Sequence, residues 1–369
     1  MPGLRRALAP GWAAVRRGAP GLALAVALAL LARTVAQALA HGVGGLPKFP
    51  LSPVMCAVLL GMLWRNSVGV PLWATRGLDW TMHRLLRVGI ALVGLRLTLA
   101  GATAIAATAV PVAISCLAVA LLAGIGIARA LAVPRRLGLL LAIGTAVCGC
   151  TAVVAVSPVI RARHAETAFA VTCVVLFGCM AMLCYPWVAA RFFAASPVHA
   201  GIFLGTAIHD TSQVIGAALI YSQQAAAPAA LAAASVAKLL RNLSIAVLVP
   251  AAAWLVQRHE GRADDPSPSN TRPPLMPLFV LGFIGFILVR TAGDALYGAT
   301  APVWQALINT GYTTSDLFLT CGMTAVGLSV SFTDMWRIGW RPLAAGFVVA
   351  TLVGTCSLLL TCGMAHFLT

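Results

Sequence analysis

The chain has 369 residues, of which 60% are hydrophobic and only 9% are charged, and its mean hydropathy is +0.95. A soluble domain carries roughly 25% charged residues, so this sequence has too little polar surface to cover a water-soluble globule. The net charge of +16 could indicate a nucleic-acid partner. However, the basic residues lie in short segments between apolar runs, as the positive-inside rule describes. We therefore expect a lipid bilayer as partner and no nucleic acid.

Apolar runs of about 20 residues recur along the chain, which is the length that a helix needs to cross a ~30 Å hydrocarbon core. They lack the period-two alternation of a transmembrane β-barrel. The predicted fold is an all-α polytopic integral membrane protein with about eleven transmembrane helices, within a range of ten to twelve. The predicted spans are 20–40, 50–65, 84–100, 103–128, 137–160, 165–190, 199–222, 229–257, 275–292, 314–332 and 342–367.

The charge distribution predicts the organisation of the chain. Residues 1–19 form a basic segment that precedes a single transmembrane domain over 20–369, and one flexible polar loop covers 259–274. With a cytoplasmic N-terminus, most of the 25 basic residues fall on the inner side, as positive-inside topology requires. This predicts a multi-pass protein of the bacterial plasma (inner) membrane, with the N-terminus and the 259–274 loop in the cytoplasm.

The sequence carries no pattern typical of an enzyme. All ten cysteines lie within apolar runs, so they predict no disulfide framework. Cys148 and Cys150 have no further ligand nearby that would complete a metal site. The G-x-x-x-x-G-K-[ST] and H-E-x-x-H patterns are absent, and no spacing singles out a nucleophile with its base. We expect neither catalysis nor a cofactor or metal.

Short similarities predict a 5+5 inverted repeat. Residues 84–92 resemble 238–246, and Thr145-Ala-Val-Cys-Gly149 resembles Thr324-Ala-Val-Gly327. The members of each pair lie five spans apart, so they cross the membrane in opposite directions, as in many transporters. Repeat one would cover about 20–160 and repeat two about 165–332, with an extra helix at 342–367. A rival match, of 144–146 to 205–207, pairs spans of the same direction and leaves an alternative open.

Spans five and ten each contain a run of small and polar residues in mid-membrane. These are Gly144-Thr-Ala-Val-Cys-Gly-Cys-Thr151 and Cys321-Gly-Met-Thr-Ala-Val-Gly-Leu-Ser329. Such runs predict two broken helices, because exposed backbone groups are tolerated at that depth only inside protein or beside a water-filled cavity. Close helix packing through small residues is the alternative. The predicted substrate-binding residues at these breaks are Thr145, Cys148, Gly149, Thr324 and Gly327.

Span eight places two cations in an apolar run. Lys238 and Arg241 share one helical face, with Asn242 beside them. Buried charges are costly without partners, and few acidic residues are available, so the sequence predicts that these three residues bind an anionic substrate. An ion pair with Asp210 or snorkelling toward an interface remains an alternative.

Span seven carries a polar group at Thr206-Ala-Ile-His-Asp-Thr-Ser-Gln213. A histidine that titrates near neutrality can couple proton movement to transport. We predict that His209, Asp210 and Gln213 handle a coupling ion, which is a proton or sodium. A buried His–Asp pair that only stabilises helix packing is the alternative.

Taken together, several motifs resemble the YeiH-type sulfate exporter family over about residues 20–367. They are Arg87-Val-Gly-Ile-Ala-Leu-Val-Gly-Leu-Arg-Leu-Thr98, Gly144-Thr-Ala-Val-Cys-Gly149, Thr206-Ala-Ile-His-Asp210, Gln213 and Lys238-Leu-Leu-Arg-Asn242. Asp210 stands where many members have Glu, which preserves the charge. The resemblance implies a relation to cation/proton antiporters and bile-acid symporters, with a core domain that contains two crossing broken helices and a separate panel domain.

The sequence therefore predicts a secondary active transporter that exports a small anion such as sulfate, sulfite or an organosulfonate by alternating access, coupled to ions or protons. A homodimer is one expected assembly. A sodium (cation)/proton antiporter using Asp210 is the first alternative. A membrane receptor or structural protein without transport is the second.

Overall fold

The computed structural model describes residues 3–41, 51–244, 247–248, 251, 278–331, 333 and 340–367. All regular structure in these residues is helical, which confirms the predicted class. The helices are α1 Gly3–His41, α2 Pro53–Ser67, α3 Leu72–Trp80, α4 Leu86–Val93, α5 Leu99–Ala130, α6 Arg135–Ala146, α7 Cys150–Val156, α8 His164–Phe192, α9 Pro197–Ala207, α10 Thr211–Gln224, α11 Pro228–Leu243, α12 Leu278–Tyr297, α13 Pro302–Ser329 and α14 Trp340–Phe367.

Among the described residues, five helical stretches are long and apolar enough by themselves to cross a membrane. They are Gly18–Ala40, Leu99–Ala130, Ala165–Phe192, Leu278–Tyr297 and Trp340–His366. The other predicted spans correspond to shorter, interrupted or more polar helices. The total of eleven spans therefore stays a prediction.

Several predicted boundaries differ from the structure. The backbone of the N-terminal basic segment is helical and continues into the first span as α1. The helix of span three begins already at Leu72, and a π-helical turn, Thr81–Leu85, joins α3 to α4. Span seven is two helices, α9 and α10. The predicted loop 259–274 lies outside the described residues, and so does most of the C-terminal half of span eight.

Helices α2 and α13 pack closely through small residues. A Cβ atom at Gly61 would lie 2.6 Å from the carbonyl oxygen of Thr324, and one at Gly327 would collide with the carbonyl of Val58. The hydroxyl of Thr324 donates to Thr320 O within α13 at 3.0 Å. The small residues of span ten therefore serve helix packing, which was the alternative left open.

Helices α9 and α11 also pack closely, and this contact positions the site. A Cβ atom at Gly205 would lie 2.6 Å from the carbonyl oxygen of Ala234, and Gly201 faces Ala230 in the same way. Because neither glycine has a side chain, α11 lies directly against the helix that ends at Ala207. The cationic end of α11 thereby comes next to the end of α9.

The α2–α13 contact leads to a first prediction. Gly327→Ala would place a methyl group against the backbone of Val58, so we expect a loss of roughly 1–3 kcal/mol through overpacking and a lower thermal unfolding midpoint in detergent. Gly126→Ala is the matched control, because Gly126 is exposed on α5 with nothing within 4 Å of its added Cβ. Equal midpoints for the two variants would contradict the packing described here.

Candidate functional site

The first helix break lies where the sequence predicted one. Helix α6 ends at Ala146 and α7 begins at Cys150. Gly149 has φ +67° and ψ −125°, a backbone conformation that favours glycine. A Cβ atom there would lie 2.9 Å from Oδ2 of Asp210. The break thus needs glycine both for its dihedral angles and for the close approach of Asp210.

The second break lies in span seven, and the prediction of a break in span ten was wrong. Helix α9 ends at Ala207 and α10 begins at Thr211, whereas α13 runs uninterrupted from Pro302 to Ser329. Ile208 and Asp210 are extended, and Oδ1 of Asp210 caps α10 by accepting the N–H of Ser212 at 2.8 Å. The two breaks therefore meet at Gly149 and Asp210. They also coincide with the two Gly-Thr-Ala triplets of the rival repeat match, and the inverted repeat stays a prediction.

Lys238 binds the carbonyl ends of both interrupted helices. Its side chain is fully buried. Its Nζ donates to Val147 O at 2.7 Å and to Ile208 O at 3.1 Å, and also to the carbonyl of His209. One ammonium group thus satisfies carbonyl groups that the ends of α6 and α9 leave without helical partners.

Arg241 extends this contact by one turn of α11. Its Nε donates to Ala146 O at 3.1 Å and one terminal nitrogen donates to Thr145 O at 2.8 Å and to Ala146 O at 2.7 Å. Its other terminal nitrogen donates to the carbonyl of Thr206. Cations at helix C-termini also complement the helix dipole. We call Lys238 and Arg241 the α11 clamp.

The anion-binding role of Lys238 and Arg241 stays a prediction. The donors expected to hold a substrate go to backbone carbonyls, and neither side chain lines the cavity described below. The alternative, an ion pair with Asp210, is not among the described salt bridges, which join Arg96 to Asp316 and Arg290 to Asp294. The structure therefore places these cations where they hold the two breaks together.

The remaining predicted site residues divide between packing positions and a cavity. Thr145, Cys148, His209 and Thr324 are buried and do not line the cavity, and neither do Gly149, Gly327 and Asn242. Nδ2 of Asn242 donates to Oγ1 of Thr211 at 3.3 Å, which joins α11 to the start of α10. Of the predicted set, only Asp210 and Gln213 line the cavity.

A cavity of about 410 Å³ reaches both breaks. Polar groups come from the residues that begin α7 and α10, from His83 on the π-helical turn, and from Arg87 one turn later in α4. Gln213 anchors one wall, since its Nε2 donates to Val175 O of α8 at 3.0 Å. The full lining is Met82, His83, Leu86, Arg87, Ile90, Cys150, Thr151, Val171, Thr172, Val175, Leu176, Asp210, Thr211, Ser212, Gln213, Phe279, Val326, Ser329, Val330 and Ser331.

Sequence reasoning missed His83, Arg87, Thr151 and Ser212. Arg87 had been assigned to the basic residues of the cytoplasmic side, where the positive-inside rule accounts for it. His83 and Arg87 are four residues apart and therefore share one helical face. This spacing was the sequence feature that could have indicated a polar site. Arg87 takes part in none of the described salt bridges, so its charge is available to a ligand.

The chain can be compared with known proteins at this point. The sequence profile of the family described as conserved hypothetical protein 698 matches residues 20–346. The chain belongs to this family. No solved structure matches it.

Curated relatives agree with that assignment. A UPF0324 membrane protein of Ralstonia nicotianae is 33% identical over 315 residues, covering 81% of this chain and 82% of the relative. One from Bacteroides thetaiotaomicron is 30% identical, covering 82% and 85%. One from Bacillus cereus is 28% identical, covering 89% and 88%. The family and the apolar helices together identify a membrane protein.

The α11 clamp leads to a second prediction. Lys238→Met would leave three buried carbonyl groups without donors, at a cost of roughly 1–3 kcal/mol for each. We expect a large fall in the thermal unfolding midpoint in detergent with no ligand present. Arg33→Met, which removes an exposed cation from α1, is the control and should unfold near the wild-type midpoint. The anion-binding role would be favoured instead if Lys238→Met kept the wild-type midpoint and lost only the stabilisation by added anions.

Proposed function

We propose that the protein is a secondary active transporter that exports a small anion across the bacterial inner membrane, with the cavity as its substrate site. The observation that carries the proposal is that this cavity reaches two interrupted helices and is lined by Arg87, which forms no salt bridge with the residues that the structure describes. Irregular backbone at membrane depth is typical of substrate sites in transporters. Arg87 would bind the anion, since a guanidinium group is well suited to oxyanions.

Asp210 is the residue we propose for coupling. It is partly exposed, it lines the cavity, and it caps α10. A carboxylate in this place could exchange a proton or bind a sodium ion when the substrate leaves. His209 is buried away from the cavity, which favours Asp210 over His209 for this role.

The proposed direction rests on the predicted topology. With a cytoplasmic N-terminus, the helix of span three begins on the cytoplasmic side at Leu72. We propose that the cavity opens toward this side, in a state ready to load an exported substrate. Alternating access would close this side and open the other, with the α11 clamp holding the two breaks together as a unit.

A flux experiment tests the proposal. The full chain is reconstituted in liposomes, and labelled sulfate, sulfite and taurine are followed under an imposed pH gradient. Loss of a charged hydrogen-bond partner costs about 1.5–3 kcal/mol, so we expect Arg87→Gln to slow transport by tenfold or more. Arg84→Gln is the matched control, because Arg84 is an exposed neighbour on the π-helical turn that does not line the cavity.

Other outcomes decide against the proposal. Equal rates for Arg87→Gln and the wild-type protein would contradict the cavity as the anion site. Sodium-driven proton flux in liposomes that contain no transported anion would favour the cation/proton antiporter, for which the position of Asp210 in the cavity is the supporting observation. If neither anions nor cations were transported, the result would favour the alternative of a membrane receptor or structural protein without transport.

A further inference from the structure

The size of the cavity is the first indication of what it binds. Its volume of about 410 Å³ lies in the range of roughly 300–1,000 Å³ that is typical of sites for organic small molecules. A tetrahedral inorganic anion would contact Arg87 and leave most of this space to water. The cavity is therefore larger than recognition of such an ion requires.

The walls of the cavity provide the second indication. Helices α4, α8, α12 and α13 each contribute apolar side chains, among them Leu86, Leu176, Phe279 and Val326, and Val330 follows directly after α13. These surround the space next to Arg87 and the helix breaks. Apolar walls gain free energy only when they cover apolar ligand surface, and they provide no hydrogen bonds to an inorganic oxyanion.

The charges provide the third indication. Among the lining residues, the guanidinium of Arg87 and the carboxylate of Asp210 have opposite charges, and His83 adds an imidazole. The two charges cancel before a ligand binds, so a monovalent anion leaves one net negative charge in the cavity and a divalent anion leaves two. Repulsion between like charges therefore favours the monovalent anion.

From these observations we infer that the cavity selects monovalent organic anions that carry an apolar segment over inorganic divalent anions such as sulfate. The acid group binds at Arg87 and the apolar segment packs against Leu176, Phe279 and Val326. The inference rests on the proposed function, since it takes the cavity as the substrate site. It narrows that function to a substrate class.

Binding of a homologous series tests this inference. The purified full chain is titrated by calorimetry with methanesulfonate, propanesulfonate, butanesulfonate and sulfate. If each added methylene is buried against the apolar walls, affinity should rise about fourfold per methylene, which is the fold-change that corresponds to ~0.8 kcal/mol. Butanesulfonate should then bind about sixtyfold more tightly than methanesulfonate, and sulfate should bind more weakly than both.

Variants show whether the gain arises in the cavity. Phe279→Ala should flatten the dependence on chain length, because it should weaken butanesulfonate binding more than methanesulfonate binding, and Leu176→Ala is a second cavity variant should the first fold poorly. Leu281→Ala is the matched control, because Leu281 lies on the same helix, is 52% exposed and does not line the cavity. Arg87→Gln should weaken every sulfonate equally, which separates binding at the site from partitioning into detergent.

The outcomes separate the two proposals. Affinity that does not change with chain length, or sulfate binding more tightly than butanesulfonate, would overturn the substrate class and leave the transporter intact. The substrate class would also be overturned if affinity still rose with sulfonate chain length in both Phe279→Ala and Leu176→Ala. Absence of binding by all four anions would contradict the proposed function itself.

Discussion

Two helices end in the interior of this protein, and their terminal carbonyl groups must find donors. Unsatisfied backbone groups cost several kcal/mol each where water is excluded. Lys238 and Arg241 supply those donors from a single helix, α11, which the glycines at 201 and 205 allow to lie directly against α9. The clamp thus holds the ends of α6 and α9 together. The cavity residues that begin α7 and α10 follow directly after these ends.

The breaks also separate charges of opposite sign. The carbonyl ends of α6 and α9 meet the cations of α11, while the amide end of α10 meets the carboxylate of Asp210. Each charge therefore complements the helix dipole that it faces. Asp210 additionally lines the cavity, so a ligand in the cavity could contact the residue that caps α10. A residue with both roles is suited to coupling ion binding to a movement of the two interrupted helices.

The sequence predicted the helical class and the break at 147–149, because Gly144, Gly149 and the neighbouring threonine interrupt an apolar run. It did not predict the break at 208–210, since Thr206, His209 and Gln213 are spaced as one polar face of an unbroken helix. The glycines of span ten gave a false signal because the same residues permit close packing against α2. The contacts of Lys238 could not be predicted from the sequence, for a different reason. Its partners are backbone carbonyl groups as far as 91 residues away along the chain. Every residue has a backbone carbonyl group, so the sequence does not indicate which of them accept a hydrogen bond.

Accessibility to a charged reagent tests the central claim, that an aqueous cavity reaches the breaks in spans five and seven and not span ten. Thr151→Cys places a thiol in the cavity lining, whereas Thr324→Cys places one at a fully buried position of α13. A negatively charged, membrane-impermeant thiol reagent is applied to both sides of the membrane, and labelling is measured relative to the wild-type chain. The account predicts one additional label on Thr151→Cys and none on Thr324→Cys. Labelling of Thr324→Cys alone would contradict it.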